Sequence, residues 1–141
     1  MAGKRVQEVY CWEIRFDDLT IYLASSMKGA VRIGLRLKEK SDCLAYFNKI
    51  FPSGWTFKDY HMNRNLIVAI DAVLRNRQRP KDLSLDITCT PFQLRAWKAI
   101  TQIPSGQTKT YGEVARMVGR PGGARAVGQA MGRNPLPLIF P

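Results

Sequence analysis

Residues 110–141, TYGEVARMVGRPGGARAVGQAMGRNPLPLIFP, decide how the rest of the chain is read. Thr110 followed three residues later by Glu113 is a capping box, in which each side chain satisfies a backbone N–H at a helix start. Tyr111, Val114, Ala115 and Val118 then recur at helical spacing. Gly119 falls where a left-handed cap residue is wanted, and Pro121 with Gly122 and Gly123 stops the helix. A second helix therefore starts near Ala124. At 100° per residue, Ala124, Val127 and Met131 share the face that packs on the first helix, whereas Ala126, Gln129, Ala130 and Arg133 point outward. That outward face is small and basic. Two short helices joined by a glycine turn match a helix-turn-helix, whose second helix lies in a DNA groove, and the same spacing also serves an ordinary αα-hairpin inside a core.

On the N-terminal side, Thr90-Pro91-Phe92-Gln93 is a second capping-box start, with Pro91 at the first helical position, where its missing N–H is not needed. Phe92, Ala96 and Ile100, with Trp97, form the buried side of that helix, which packs behind the helix-turn-helix. On the C-terminal side, Leu136, Leu138, Ile139 and Phe140 read as an apolar strand stiffened by prolines. A buried strand of this kind delivers a residue into a site, so Pro141 is not expected to be the end of a working protein.

The first half reads as a scaffold. Tyr10, Trp12, Ile14 and Phe16 alternate with Cys11, Glu13 and Arg15, Asp17-Asp18 makes a turn, and Leu19, Ile21 and Leu23 continue the alternation. Val31, Ile33, Leu35 and Leu37 set against Arg32, Gly34, Arg36 and Lys38 give the clearest strand. The expectation is an antiparallel meander with one apolar and one wet face. Leu44, Phe47 and Phe51 predict a short helix, and Leu66, Ile67, Ile70, Val73 and Leu74 a longer one covering the apolar face. The polar run Arg75 to Lys81 reads as an exposed connection, followed by one more strand over Leu83 to Thr88. The fold class is thus α/β in an α+β arrangement. Residues 1–88 form a small antiparallel-sheet domain and residues 89–141 a helical one.

Composition narrows the class of function. With 45% apolar and 23% charged residues in 141, the chain is globular, and its net charge of +11 points to a polyanionic partner. From residue 90 onward seven Lys or Arg face a single acid, Glu113, whereas the longer remainder holds fifteen basic and ten acidic residues. Charge is denser where the groove-binding helix is placed, although a solvated basic face reads the same way. No apolar run has the length of a membrane span and no secretion signal opens the chain, so an intracellular protein without a membrane partner is expected. Cys11, Cys43 and Cys89 are odd in number and unpaired in spacing, which suits reduced thiols. With His61 they would make four zinc ligands, but no metal-binding spacing supports this, and neither a metal nor a cofactor is expected. The run Gly119-Arg-Pro-Gly-Gly lacks the Lys-Ser or Lys-Thr of a nucleotide-phosphate loop.

The segments Thr110-Tyr-Gly-Glu-Val-Ala, Arg125-Ala-Val-Gly-Gln-Ala-Met and Asn134-Pro-Leu-Pro-Leu-Ile-Phe-Pro closely resemble the DNA-binding domain of the O6-alkylguanine-DNA alkyltransferases. The likeness runs in order from Thr90-Pro-Phe-Gln to Pro141, and residues 1–88 resemble the family's N-terminal domain less specifically. It implies direct, irreversible transfer of an alkyl group from guanine O6 to a protein cysteine by a monomer acting on double-stranded DNA. It also implies that the second helix enters the minor groove, where the short Ala126 and Ala130 fit, with Gln129 and Arg133 on the same face. Arg125 would occupy the position of an extruded nucleotide, and Tyr111 would act on the target's backbone phosphate. Gly112 and Arg120 would hold further phosphates. Tyr111, Met131, Asn134 and Pro137 would line the base pocket, with Asn134 tying the helix to the active-site strand.

The family's next residues are Cys-His-Arg, so the resemblance places the reactive cysteine directly after Pro141, and Cys11, Cys43 and Cys89 match no family motif. A second reading is a non-reactive alkyltransferase-like protein, in which tryptophan replaces that cysteine. A third is a basic transcription regulator, which would need a dimer surface and paired half-sites that the sequence does not display.

Overall fold

The computed structural model describes residues 7–52, 54–77, 82–104 and 106–140. The chain divides into two compact units, Met1–Ile87 and Thr88–Pro141. Among the described residues no helix is long and apolar enough to cross a membrane.

In the first unit β1 (Val9–Phe16), β2 (Leu19–Ser26) and β3 (Gly29–Leu37) form the expected antiparallel meander, with Asp17 at positive φ in the first turn. A short β4 (Thr56–Lys58) joins β1 in parallel, which makes the sheet mixed, in the order β3-β2-β1-β4. The strand expected over Leu83 to Thr88 is reduced to one bridge between Leu85 and Ala30, anchored by Ala30 N–H donating to Ser84 O at 2.9 Å and Asp86 N–H to Ala30 O at 2.8 Å. Of the polar connection, residues 78–81 lie outside the described residues.

The alternation in β1 assigns burial to the wrong set. Val9 and Cys11 are buried, while Tyr10, Trp12 and Ile14 are half-buried and Phe16 is exposed. The reason is α1 (Cys43–Phe47), which packs Cys43 and Phe47 onto Val9, Cys11, Tyr22 and Ala24 and so covers the face that looked wet. Asp42 caps this helix by accepting from Ala45 N–H at 2.8 Å, and Glu13 accepts from Cys43 N–H at 2.9 Å and from Lys58 Nζ at 3.0 Å. Burial pushes the Glu13 carboxyl up, yet hydrogen bonds from Cys43 and Lys58 hold it below its ordinary value. Central β2 is consequently buried on both faces, with Ile21 and Leu23 as enclosed as Tyr22 and Ala24. A 3₁₀ turn, His61–Asn63, leads into α2 (Arg64–Leu74), which buries Leu66, Ala69 and Ile70. Asn63 locks that turn to the sheet by donating to Tyr10 O at 3.0 Å.

The α1 face requires a glycine at position 34. Tyr46 stacks on Tyr22 with centroids 4.2 Å apart and planes at 3°, and Arg36 lies 5.4 Å above the same ring. A Cβ at Gly34 would overlap the Tyr46 ring and hydroxyl. Gly34→Ala should therefore expel Tyr46 from the stack and cost about 1–3 kcal/mol, read as a lower urea midpoint at unchanged slope.

Candidate nucleic-acid interface

The second unit is three short helices, two of which start in side-chain capping boxes. At α3 (Pro91–Thr101), Gln93 N–H donates to Thr90 Oγ1 at 3.1 Å and Thr90 N–H to Gln93 Oε1 at 3.0 Å. At α4 (Tyr111–Met117) the same pair is Glu113 N–H to Thr110 Oγ1 at 3.1 Å and Thr110 N–H to Glu113 Oε1 at 3.3 Å. Gly119, at φ 76°, closes α4 as expected: its N–H reaches Arg116 O at 3.1 Å and Arg120 N–H reaches Ala115 O at 2.9 Å, the paired bonds of a Schellman end. Then α5 (Ala124–Gly132) begins, without a side-chain cap. Ala99, Val114, Ala115 and Val127 form the core between the helices, with Phe92, Val118 and Met131 packed against it.

This packing sorts the residues singled out in the sequence. Arg125 and Gln129 stand exposed on α5, Arg133 is exposed at its C-cap, and Ala126 is half-buried. Ala130 does not join them. It is 1% exposed, because Trp97 of α3 reaches across and donates its Nε1–H to Ala130 O at 2.8 Å. On the helical wheel Ala130 sits at the border of the two faces, and the indole draws it inward. Tyr111 is half-exposed, so it is not a core phenol, and its ring lies against α5: a Cβ on Gly128 would come within 3.2 Å of it. A glycine inside a helix costs about 1 kcal/mol relative to alanine, and at Gly128 that cost makes room for the Tyr111 ring. Arg120 rests its guanidinium 5.0 Å above the Phe92 ring, and Gly112 is half-buried in the first turn of α4.

The segment after α5 is not the expected strand. Asn134 Oδ1 accepts from Leu136 N–H at 2.9 Å, Asn134 Nδ2 donates to Phe140 O, and Phe140 N–H donates to Leu136 O at 2.9 Å. Residues 134–140 thus coil around one asparagine, with Leu138 at φ 77° and Leu136, Ile139 and Phe140 buried. Pro135 and Pro137 lack the N–H groups that a ladder needs, which is why an apolar run becomes a loop here. Met131, Asn134 and Pro137 are half-buried beside one another in sequence, and Pro141 lies outside the described residues.

Electrostatically α5 differs from α4. Glu113 in the first turn and Arg116 in the last turn of α4 suit the helix field, whereas the first turn of α5 has no acid and carries Arg125. Among the described residues Arg125 makes no hydrogen bond, ion pair or ring contact. Of the cysteines, Cys11 and Cys43 are buried in the first unit, and Cys89 is half-buried ahead of α3. A hydrogen bond with Cys11, burial and the neighbouring Glu13 push the Cys43 thiol far up, away from the thiolate.

Residues 91–141 match the family model described as the DNA-binding domain of 6-O-methylguanine DNA methyltransferase. The chain is 32% identical over 128 residues to the inducible methylated-DNA–protein-cysteine methyltransferase of Bacillus subtilis, covering 91% of this chain and 72% of that protein. It is 53% identical over 60 residues to the methylated-DNA–protein-cysteine methyltransferase of Mycobacterium tuberculosis, which is 43% of this chain and 36% of the relative. Among solved structures, the M. tuberculosis O6-methylguanine methyltransferase superposes with a TM-score of 0.68 at 31% identity, covering 94% of this chain and 75% of that one. The M. tuberculosis OGT in complex with DNA gives 0.68 at 30% identity, over 94% and 74%.

The α4 cap has a measurable signature. Hydrogen bonds from the Thr110 N–H and hydroxyl hold the Glu113 carboxyl below its ordinary 4.5. A depressed carboxylate contributes stability that is complete above that value and is lost as pH falls through the folded-state one. Thr110→Ala should lower stability by about 1 kcal/mol at neutral pH. Because the larger contribution, the Thr110 N–H, survives the substitution, the fall of the thermal midpoint below pH 4.5 should flatten only in part relative to the parent chain, in a series of melts at stepped pH.

Proposed function

The chain belongs to the methylated-DNA–protein-cysteine methyltransferase family, and we propose that its second unit docks α5 into the minor groove of duplex DNA carrying O6-alkylguanine. The observation that carries this reading is Arg125: a cation in a helix's first turn without a polar partner among the described residues, opposed by the helix field, beside the short side chains of Ala124 and Ala126.

A narrow groove admits a helix only when its outward side chains are short, and Ala126 and Gly128 meet that condition next to Arg125 and Gln129. An alkyl group on O6 lies inside the stack, so the nucleotide must leave the duplex before it is reached. Extrusion costs a few kcal/mol, which Arg125 offsets by filling the vacated place while phosphate contacts hold the backbone. Tyr111, half-exposed at the start of α4 and braced against Gly128, is positioned to press on the target's phosphate. Gly112, Arg120 and Arg133 add phosphate contacts, Arg120 from its seat on Phe92. The extruded base is received beside Met131, Asn134 and Pro137, at the junction of α5 and the coiled segment.

The chemistry is a displacement in which a thiolate sulfur attacks the alkyl carbon. The carbon–O6 bond breaks, its electron pair stays on the guanine, which takes up a proton, and the thioether remains on the protein. Cys11 and Cys43 are enclosed in the first unit, and Cys89 precedes the Thr90 cap, so none of the three suits this role. A non-reactive lesion binder would use the same surface without the transfer.

Arg125→Ala should weaken binding to an O6-methylguanine duplex about tenfold more than binding to an undamaged one, roughly 1.4 kcal/mol of extra loss. Titration of labelled duplexes at one salt concentration measures this, and equal losses would remove Arg125 from the vacated position. In a second test, residues 1–141 are incubated with O6-methylguanine DNA and weighed intact. No methyl group should be gained, and a methyl group on Cys11, Cys43 or Cys89 would overturn the exclusion of these three thiols as acceptors.

A further inference from the structure

We infer that Trp97, buried on the back of the unit, is a positioning residue for the base-receiving site, acting as a cap donated from α3 to the C-terminus of α5. The inference rests on the lesion-binding reading above.

The last four carbonyls of a helix lack intrahelical donors four residues on. Ala130 O is one of them: it accepts from Arg133 N–H at 3.2 Å, and Asn134 N–H turns instead to Met131 O at 3.3 Å. The indole N–H of Trp97, at 2.8 Å, completes Ala130 O from outside the helix. With that carbonyl satisfied, α5 ends at Gly132 and Asn134 falls outside it, its amide free to hold Leu136 N–H and Phe140 O. The other face of the same indole stacks on Phe140, with centroids 5.7 Å apart and planes at 24°. One side chain therefore touches both walls of the site: the end of α5 that carries Met131, and the coiled segment that carries Asn134 and Pro137.

An apolar filler would pack on Phe140 equally well. What only tryptophan adds is a donor at Ala130, and without it a buried carbonyl at the helix end has one partner fewer.

The test compares Trp97→Phe, which keeps a ring over Phe140 and removes the donor, with the parent chain. Affinity for undamaged duplex should change less than about twofold, while affinity for O6-methylguanine duplex falls about three- to tenfold. In an Asn134→Ala background the same substitution should add almost nothing, since both act on one junction. Equal losses on both duplexes, or additive losses with Asn134→Ala, would make Trp97 an ordinary core residue. Amide exchange supplies a readout without DNA: Leu136 N–H, held by Asn134, should exchange several-fold faster in Trp97→Phe while α4 amides keep their rates, and an unchanged Leu136 rate overturns the inference. A parent chain that binds both duplexes equally would defeat the lesion-binding reading, leaving the exchange rates to decide the cap.

Discussion

Helices of eleven, seven and nine residues are too short to hold themselves in water, and this constraint governs the second unit. Each must gain from neighbours what its length denies it. Two capping boxes, a Schellman end and a tryptophan donated between helices satisfy the backbone groups that short helices leave open in such proportion. Alanines at 99, 115 and 130 let the helices approach closely around Val114 and Val127. The outcome is a rigid mount for one face of α5.

Local rules are obeyed where they serve the fold and broken where they serve contact. In α4 the acid at the start and the base at the end agree with the helix field. In α5 the start is uncapped by any side chain and bears Arg125, and Gly128 weakens the middle of the helix while making room for Tyr111. Departures of this kind, each with a local cost, collect at sites that do something other than fold. Asn134 is the opposite case: both ends of its amide are used, the oxygen accepting from Leu136 N–H and the nitrogen donating to Phe140 O, in organising a segment that two prolines keep out of a ladder.

The first unit spends its polar groups on enclosure. Glu13 sits under the start of α1 and pairs with Lys58, and Asn63 ties the 3₁₀ turn to the β1 backbone. Its two buried cysteines act as small apolar residues.

Both capping boxes, the glycine end of α4, the three β-strands of the meander and the start of α5 were legible in the sequence, because each depends on neighbours within four residues or on a period that the backbone imposes. The face that α1 covers was not legible, since alternation tells which residues share a side and cannot tell that a later helix will occupy the polar one. The inward turn of Ala130 escaped for the same reason: its angle on the wheel is ambiguous, and Trp97, thirty-three residues away, decides it. The apolar run after α5 reads as a strand by composition, yet a strand needs a partner edge and N–H groups, and prolines with Asn134 supply a self-contained coil instead. Sequence by itself determined the starts of α3, α4 and α5, the glycine end of α4 and the basic outward stripe. Only tertiary packing decided which side chains of that stripe remain outside, because burial is a property of what arrives opposite a residue and not of the residue alone.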